Sequence, residues 1–171
     1  MRPSPRHFTL IKRGLALHER WKYRSALAYF EQAHGLAPGC PFAIYNRANT
    51  LYMLSRDEEA YGLLHRITDV TFIELVSGCP DSLQSPRSCQ LDAHYLLFHV
   101  VLGWKGFCEE AFAHAELHLQ LRTRGLGSVW SMREVRKEID DLMRRWRGSR
   151  GEQRPRCRKT ALPSPSLGRS L

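Results

Sequence analysis

His114 and His118 stand four residues apart, which on a helix is the spacing that brings two imidazoles to one metal ion. Neither sits in an H-E-x-x-H pattern, where an intervening glutamate would act on the bound water. Cys79, Cys89 and His94 are separated by ten and five residues, intervals that match no short-spaced tetrahedral knuckle. No metal and no cofactor are expected from these residues. A nucleophilic serine elbow, a phosphate-cradling glycine loop and a C-x-x-C pair are all missing from the sequence. Glu58/Glu59 and Glu109/Glu110 are acid pairs that open helical stretches, where the N-terminal dipole favours them without any acid–base role. Cys108 adjoins Glu109, whose charge raises a thiol pKa rather than lowering it. No catalytic residue is assigned, and the chain reads as a non-enzyme. The five cysteines form an odd, scattered set, most simply reduced thiols, with a Cys79–Cys89 bridge left open.

Charge is the next source of chemistry. The 171 residues carry 26 Lys/Arg against 17 Asp/Glu, a net charge of +9. Nine of those cations and one acid, Glu152, fall within residues 144–171, so residues 1–143 hold 17 bases against 16 acids. The run Arg144, Arg145, Arg147, Arg150, Arg154, Arg156, Arg158 and Lys159 offers salt-dependent contact with a polyanion. Trp146 is its one aromatic, so base stacking is not indicated. The longest apolar run, Tyr95–Trp104, is interrupted by His99 and is too short to span a bilayer. The first residues lack the apolar core of a secretory signal, so a cytoplasmic protein without membrane contact is expected.

The elements that would hold these residues follow from apolar spacing. Leu10, Gly14 and Leu17, then Ala26, Phe30 and Ala33, recur at intervals of four and three, the signature of two helices. Pro38 follows the second, where it cannot continue the hydrogen-bond ladder. A shift of 34 residues recovers the frame as Ile44, Ala48 and Leu51, then Ala60, Leu64 and Ile67. This period, with small residues where two helices cross and a closing proline, resembles the tetratricopeptide repeat. Gly14, Ala26, Phe30, Ala33 and Pro38 occupy that family's positions in a first unit, about residues 7–40. Ala48 and Ala60 do so in a second, about 41–74. There Leu64, Ile67 and Phe72 replace the family's aromatic, alanine and proline, and Arg13 replaces a leucine in the first unit.

Glu109-Glu110-Ala111-Phe112 repeats Glu58-Glu59-Ala60-Tyr61 after 51 residues, one period plus a 17-residue insertion. The insertion, about residues 75–91, is rich in Gly, Pro, Ser and Asp and reads as a surface loop. A third unit then spans about 92–125, with His99 and His118 at positions where the family uses small residues. Beyond Gly125 and Gly127, Ser131 and Glu134 have capping-box spacing at the start of a last helix over about 129–147. Val135, Ile139, Leu142, Met143 and Trp146 give it one apolar face, suited to covering the last unit. The resemblance implies an all-α, TPR-like α-solenoid of about three helix-turn-helix units plus a C-terminal capping helix. The repeat domain would occupy residues 1–147, followed by a basic tail over 148–171 too polar to order.

In such a solenoid the first helix of each unit lines the inner surface. Its groove stripe is Phe8, Ile11, Leu15 and His18 in the first unit. In the second it is Phe42, Tyr45, Asn49 and Tyr52, with Met53 alongside, and in the third Ala93, Leu96, Val100 and Gly103. Large rings anchor a partner, and an asparagine amide pairs with both groups of a peptide bond. Asn46 stands where some relatives hold a peptide's terminal carboxylate. The rest of that clamp is replaced by Ile11, Leu15, Ala93 and Leu97, apolar groups that cannot compensate a carboxylate. The resemblance and the groove together imply a non-enzymatic protein–protein interaction module for an extended, apolar-rich segment. Its binding residues would be Ile11, Leu15, Phe42, Tyr45, Asn46, Asn49, Tyr52 and Met53. The alternative is a nucleic-acid-associated or polyanion-associated protein acting through the tail. The oligomeric state is left open.

Overall fold

Three turns carry the repeat into three dimensions. In a computed structural model that describes residues 5–71 and 85–149, Trp21 and Ser55 take φ of 61° and 58°, and Gly106 takes 76°. These residues are separated by 34 and then 51 positions, the two shifts found in the sequence. Each ends a first helix and starts the turn to the second. Around Trp21, the N–H groups of residues 20, 21 and 22 donate to Leu17, His18 and Leu17. Around Ser55, residues 54, 55 and 56 repeat the set with Leu51, Tyr52 and Leu51. The left-handed conformation is unfavourable for Trp21 and Ser55, and only Gly106 adopts it freely.

The described residues form seven helices and no strand: α1 Pro5–His18, α2 Tyr23–Leu36, α3 Pro41–Met53, α4 Asp57–Thr68, α5 Pro86–Lys105, α6 Glu109–Thr123 and α7 Met132–Ser149. Pro41 and Pro86 open α3 and α5 at positions where a missing N–H costs nothing. Asp57, Glu58 and Glu59 fill the first turn of α4, and Glu109 and Glu110 that of α6, as the dipole argument requires. The third-unit helix starts at Pro86, so residues 86–91 of the expected loop are helical; the remainder of that loop falls largely outside the described residues. Ser131 precedes α7, and its carbonyl accepts the Val135 N–H at 3.0 Å.

The helices pair as α1·α2, α3·α4 and α5·α6, and successive pairs stack through α2·α3 and α4·α5, with α7 closing on α6. Equivalent positions are buried in every unit. Leu10, Ile44 and Tyr95 form one set, and Ala26, Ala60 and Ala111 another. Ala33, Ile67 and His118 form a third, all fully buried. The crossing of the two helices shows how the volumes are shared. Gly14 lies against Phe30 so closely that an added Cβ would sit 2.6 Å from a ring carbon. The equivalent pairs are Ala48 with Leu64 and His99 with Ala115. As the first residue grows from Gly to Ala to His, the second shrinks from Phe to Leu to Ala, the exchange of volume that a shared close-packed crossing requires. His99, anomalous against the family pattern, is thus accommodated by a small partner position.

His7 and His118 are fully buried, and each ring donates Nδ1–H to a backbone carbonyl at 2.9 Å, of Ala33 and Leu91 respectively. Burial holds both below the ordinary histidine value of 6.5. A group whose folded pKa is depressed contributes stability that is present above the unfolded value and lost as pH falls through the folded one. The thermal midpoint should therefore drop between pH 7.5 and pH 5. A His118→Gln chain, which keeps a side-chain donor without the titration, should show a shallower drop.

Candidate partner-binding groove

The expected groove residues of the second unit are exposed only in part. On α3, Phe42, Asn49 and Tyr52 are half-buried and Met53 is 40% exposed, with Leu15 of α1 also half-buried. The four α3 residues present rings, an amide and a flexible apolar group on one side of that helix, because residues three, four and seven apart share a face. The Tyr52 hydroxyl is pushed up, by burial first and then by Asp57 and Glu138, so it stays protonated and can both donate and accept.

Three expected groove residues are placed elsewhere. Ile11 is fully buried in the cluster that includes Phe30 and Ala33. Tyr45 is buried, and the Trp130 side chain of the chain's own later segment lies beside its hydroxyl. Asn46 is buried as well and spends its side-chain amide within α3, donating Nδ2–H to the Phe42 carbonyl at 2.7 Å. A carboxylate clamp at Asn46 is therefore closed off. The third-unit positions Ala93, Leu96 and Val100 are buried, and Gly103 is exposed.

What closes the third-unit end is legible in polar contacts. The Ser128 hydroxyl donates to the buried Asp92 carboxylate and accepts the Trp130 backbone N–H at 3.0 Å. Trp130 meets Tyr95 edge to face, with ring centroids 5.4 Å apart. From α7, Glu138 accepts the Tyr95 hydroxyl and lies 3.7 Å from His99 Nε2. Residues 128–138 thus lie beside Tyr95, and Trp130 also beside Tyr45, which the sequence left to a visitor. Of the tail cations, Arg144, Arg145 and Arg147 are exposed on α7, with Arg144 paired to Asp141. Arg150, Arg154, Arg156, Arg158 and Lys159 lie outside the described residues, as does Cys79. Cys40, Cys89 and Cys108 are buried.

His114 does not partner His118. His118 turns inward to Leu91, whereas His114 Nδ1 lies 3.2 Å from His94 Nδ1 and its ring packs 5.7 Å from that of His65. Glu110, one turn earlier on α6, contributes a carboxylate to the same place. Ligand atoms of His65, Glu110 and His114 all lie within 4.8 Å of one another. Burial, then His114, pushes His94 down to about 4, and burial, then His65, lowers His114. The i,i+4 pair in the sequence drew attention to His114 but gave no sign of partners 20 and 49 residues away.

No helix among the described residues is long and apolar enough to cross a membrane. No family model matches the chain, and no curated protein matches it. Among solved structures it is similar to the Sgt2 TPR domain from Aspergillus fumigatus, with a TM-score of 0.63 and 20% identity. That likeness covers 98% of this chain and 97% of the other. With the 34-residue turn geometry and the all-helical hairpins, it shows that the chain has the tetratricopeptide-like repeat fold, an all-α solenoid.

Proposed function

We propose that the chain is a protein–protein interaction module without catalytic function, which receives an extended, apolar-rich segment of a partner beside Leu15, Phe42, Asn49, Tyr52 and Met53. The observation that supports this most is that side of α3, where two aromatic rings, an amide and an exposed methionine share one helix face. Rings of this kind supply contact area at low entropic cost, and methionine adapts to irregular apolar surfaces. Asn49 provides the donor and acceptor that an extended backbone needs. Tyr45, held by Trp130, serves as the floor.

The test compares the full chain with a Phe42→Ala/Tyr52→Ala double variant shown by circular dichroism to remain folded. A partner captured by the native chain and titrated against both should bind the variant at least about thirtyfold more weakly, the effect of losing about 2 kcal/mol at an aromatic anchor. Equal affinity would remove the groove from the account. Arg144, Arg145 and Arg147, exposed on α7, sustain a second reading as a polyanion contact. That reading requires nucleic-acid affinity that collapses between low and moderate salt and is lost with Arg144→Ala/Arg145→Ala/Arg147→Ala.

A further inference from the structure

Three helices from two repeat units deliver four potential metal ligands to one place between α4, α5 and α6. His65 comes from α4, His94 from α5, and Glu110 and His114 from successive turns of α6. The two Nδ1 atoms of His94 and His114 are 3.2 Å apart. The edge of a tetrahedron with zinc–nitrogen bonds of 2.0–2.1 Å is about 3.3 Å, so this pair already has the separation of two ligands on one ion. His65 is prepared differently. Asp69 accepts its Nδ1–H at 2.9 Å, which fixes the tautomer and leaves Nε2 as a bare lone pair. That Nε2 is buried and has no hydrogen-bond partner. An imidazole oriented by a carboxylate on one nitrogen and open on the other is the usual second-shell arrangement around zinc.

We infer that His65 Nε2, His94 Nδ1, His114 Nδ1 and a Glu110 carboxylate oxygen form a tetrahedral site for a divalent transition ion of the zinc type. Ligand atoms of His65, Glu110 and His114, now within 4.8 Å of one another, need to close to about 3.3 Å, His94 joins through its contact with His114, and the His65 and Glu110 side chains are partly exposed. Glu110 already accepts the Tyr61 hydroxyl on Oε1 at 2.6 Å and the Lys105 ammonium on Oε2 at 2.7 Å. Each oxygen keeps a second lone pair for the ion. Lys105 is a competing cation at the site, and Asp69 and Glu110 together outweigh it. With all four positions taken by protein, the site is closed to substrate and structural in kind. It would staple the second unit to the third beside the place where the insertion leaves the chain. His118 takes no part.

Calorimetric titration of the full, chelator-treated chain with Zn²⁺ should show uptake of one equivalent, and the thermal midpoint should rise with zinc concentration. Co²⁺ in place of zinc should give the visible d–d bands of a tetrahedral ion with nitrogen and oxygen ligands and no thiolate charge-transfer band. His65→Gln, at a partly exposed position, should weaken zinc by more than tenfold. Asp69→Asn should weaken it about 10–100-fold while leaving the metal-free midpoint in place. His18→Gln, on α1, should change nothing. The assignment fails if no stoichiometric uptake occurs or if cobalt shows thiolate bands, which would put the ion on cysteine. It fails equally if a His65→Gln/His114→Gln chain binds zinc as tightly as the native one.

Discussion

Phe30→Ala is expected to cost about 3–5 kcal/mol, a large share of the total of about 5–15 kcal/mol that a domain of this size commands. Phe30 is fully buried, and its ring fills the crossing of α1 and α2 where Gly14 leaves room. The converse change tests the same contact from the other side. Gly14→Ala puts a methyl 2.6 Å from a ring that cannot withdraw, and overpacking of that kind costs about 1–3 kcal/mol. If volume at the crossing is shared between the two positions, Gly14→Ala/Phe30→Leu rebuilds the Ala48/Leu64 pair of the second unit. Its loss should be smaller than the losses of Gly14→Ala and Phe30→Leu alone added together, by about 1 kcal/mol or more, the non-additivity expected of residues in contact. Urea unfolding of the four chains measures this. Strict additivity would mean that the crossing does not set the packing.

The same crossing explains how much of the fold was readable in one dimension. The 34-residue period and the later shift of 51 both return as the spacing of Trp21, Ser55 and Gly106 in left-handed turns. They return again in the burial of Ala26, Ala60 and Ala111. Such features are local, because helix periodicity and turn chemistry are properties of neighbouring residues. His99 and His118 looked anomalous only because the family pattern describes positions one at a time. His118 donates Nδ1–H to the Leu91 carbonyl, and His99 packs against Tyr95 and Phe98 beside Glu138.

The groove was less legible for a related reason. Ile11, Tyr45 and Asn46 lie on the expected stripe, but whether a stripe is free depends on what comes back to it. The segment that covers Tyr45 and Tyr95 is separated from them in sequence by 33 to 93 residues. Its polar links, Ser128 to Asp92 and Glu138 to Tyr95, join residues with no periodic relationship. The histidine cluster shares that character: helical spacing delivers His114 and Glu110 together, and only the stacking of units adds His65 and His94.

Ile139→Asp is expected to release α7 while leaving the three hairpins folded. Val135 and Ile139 are buried on the inward face, and Trp146 stacks on Phe112 with centroids 4.7 Å apart. The remaining turns are charged, and an aspartate at 139 would join Glu138, Asp140 and Asp141 on one short stretch. Losing a buried isoleucine forfeits about 1.5–3 kcal/mol, and desolvating the new carboxylate adds to that. A terminal helix held mainly by α6 and by the Glu138 contacts to α5 has little else to hold it, so opening should be local rather than global. Hydrogen exchange should show α7 amides losing protection by about tenfold or more while α1 and α2 keep theirs, a change of 1.4 kcal/mol being a factor of ten. Trp130 emission should shift to the red as its contacts with Tyr45 and Tyr95 loosen. Glu138→Gln provides the contrast, because it weakens one charge-assisted hydrogen bond, worth about 1.5–3 kcal/mol at most, and leaves the apolar seat intact. If both variants melt the whole chain in one step, α7 belongs to the cooperative core. If Ile139→Asp alone frees the helix, apolar docking of α7 governs access to Tyr45, and partner affinity should then change with it.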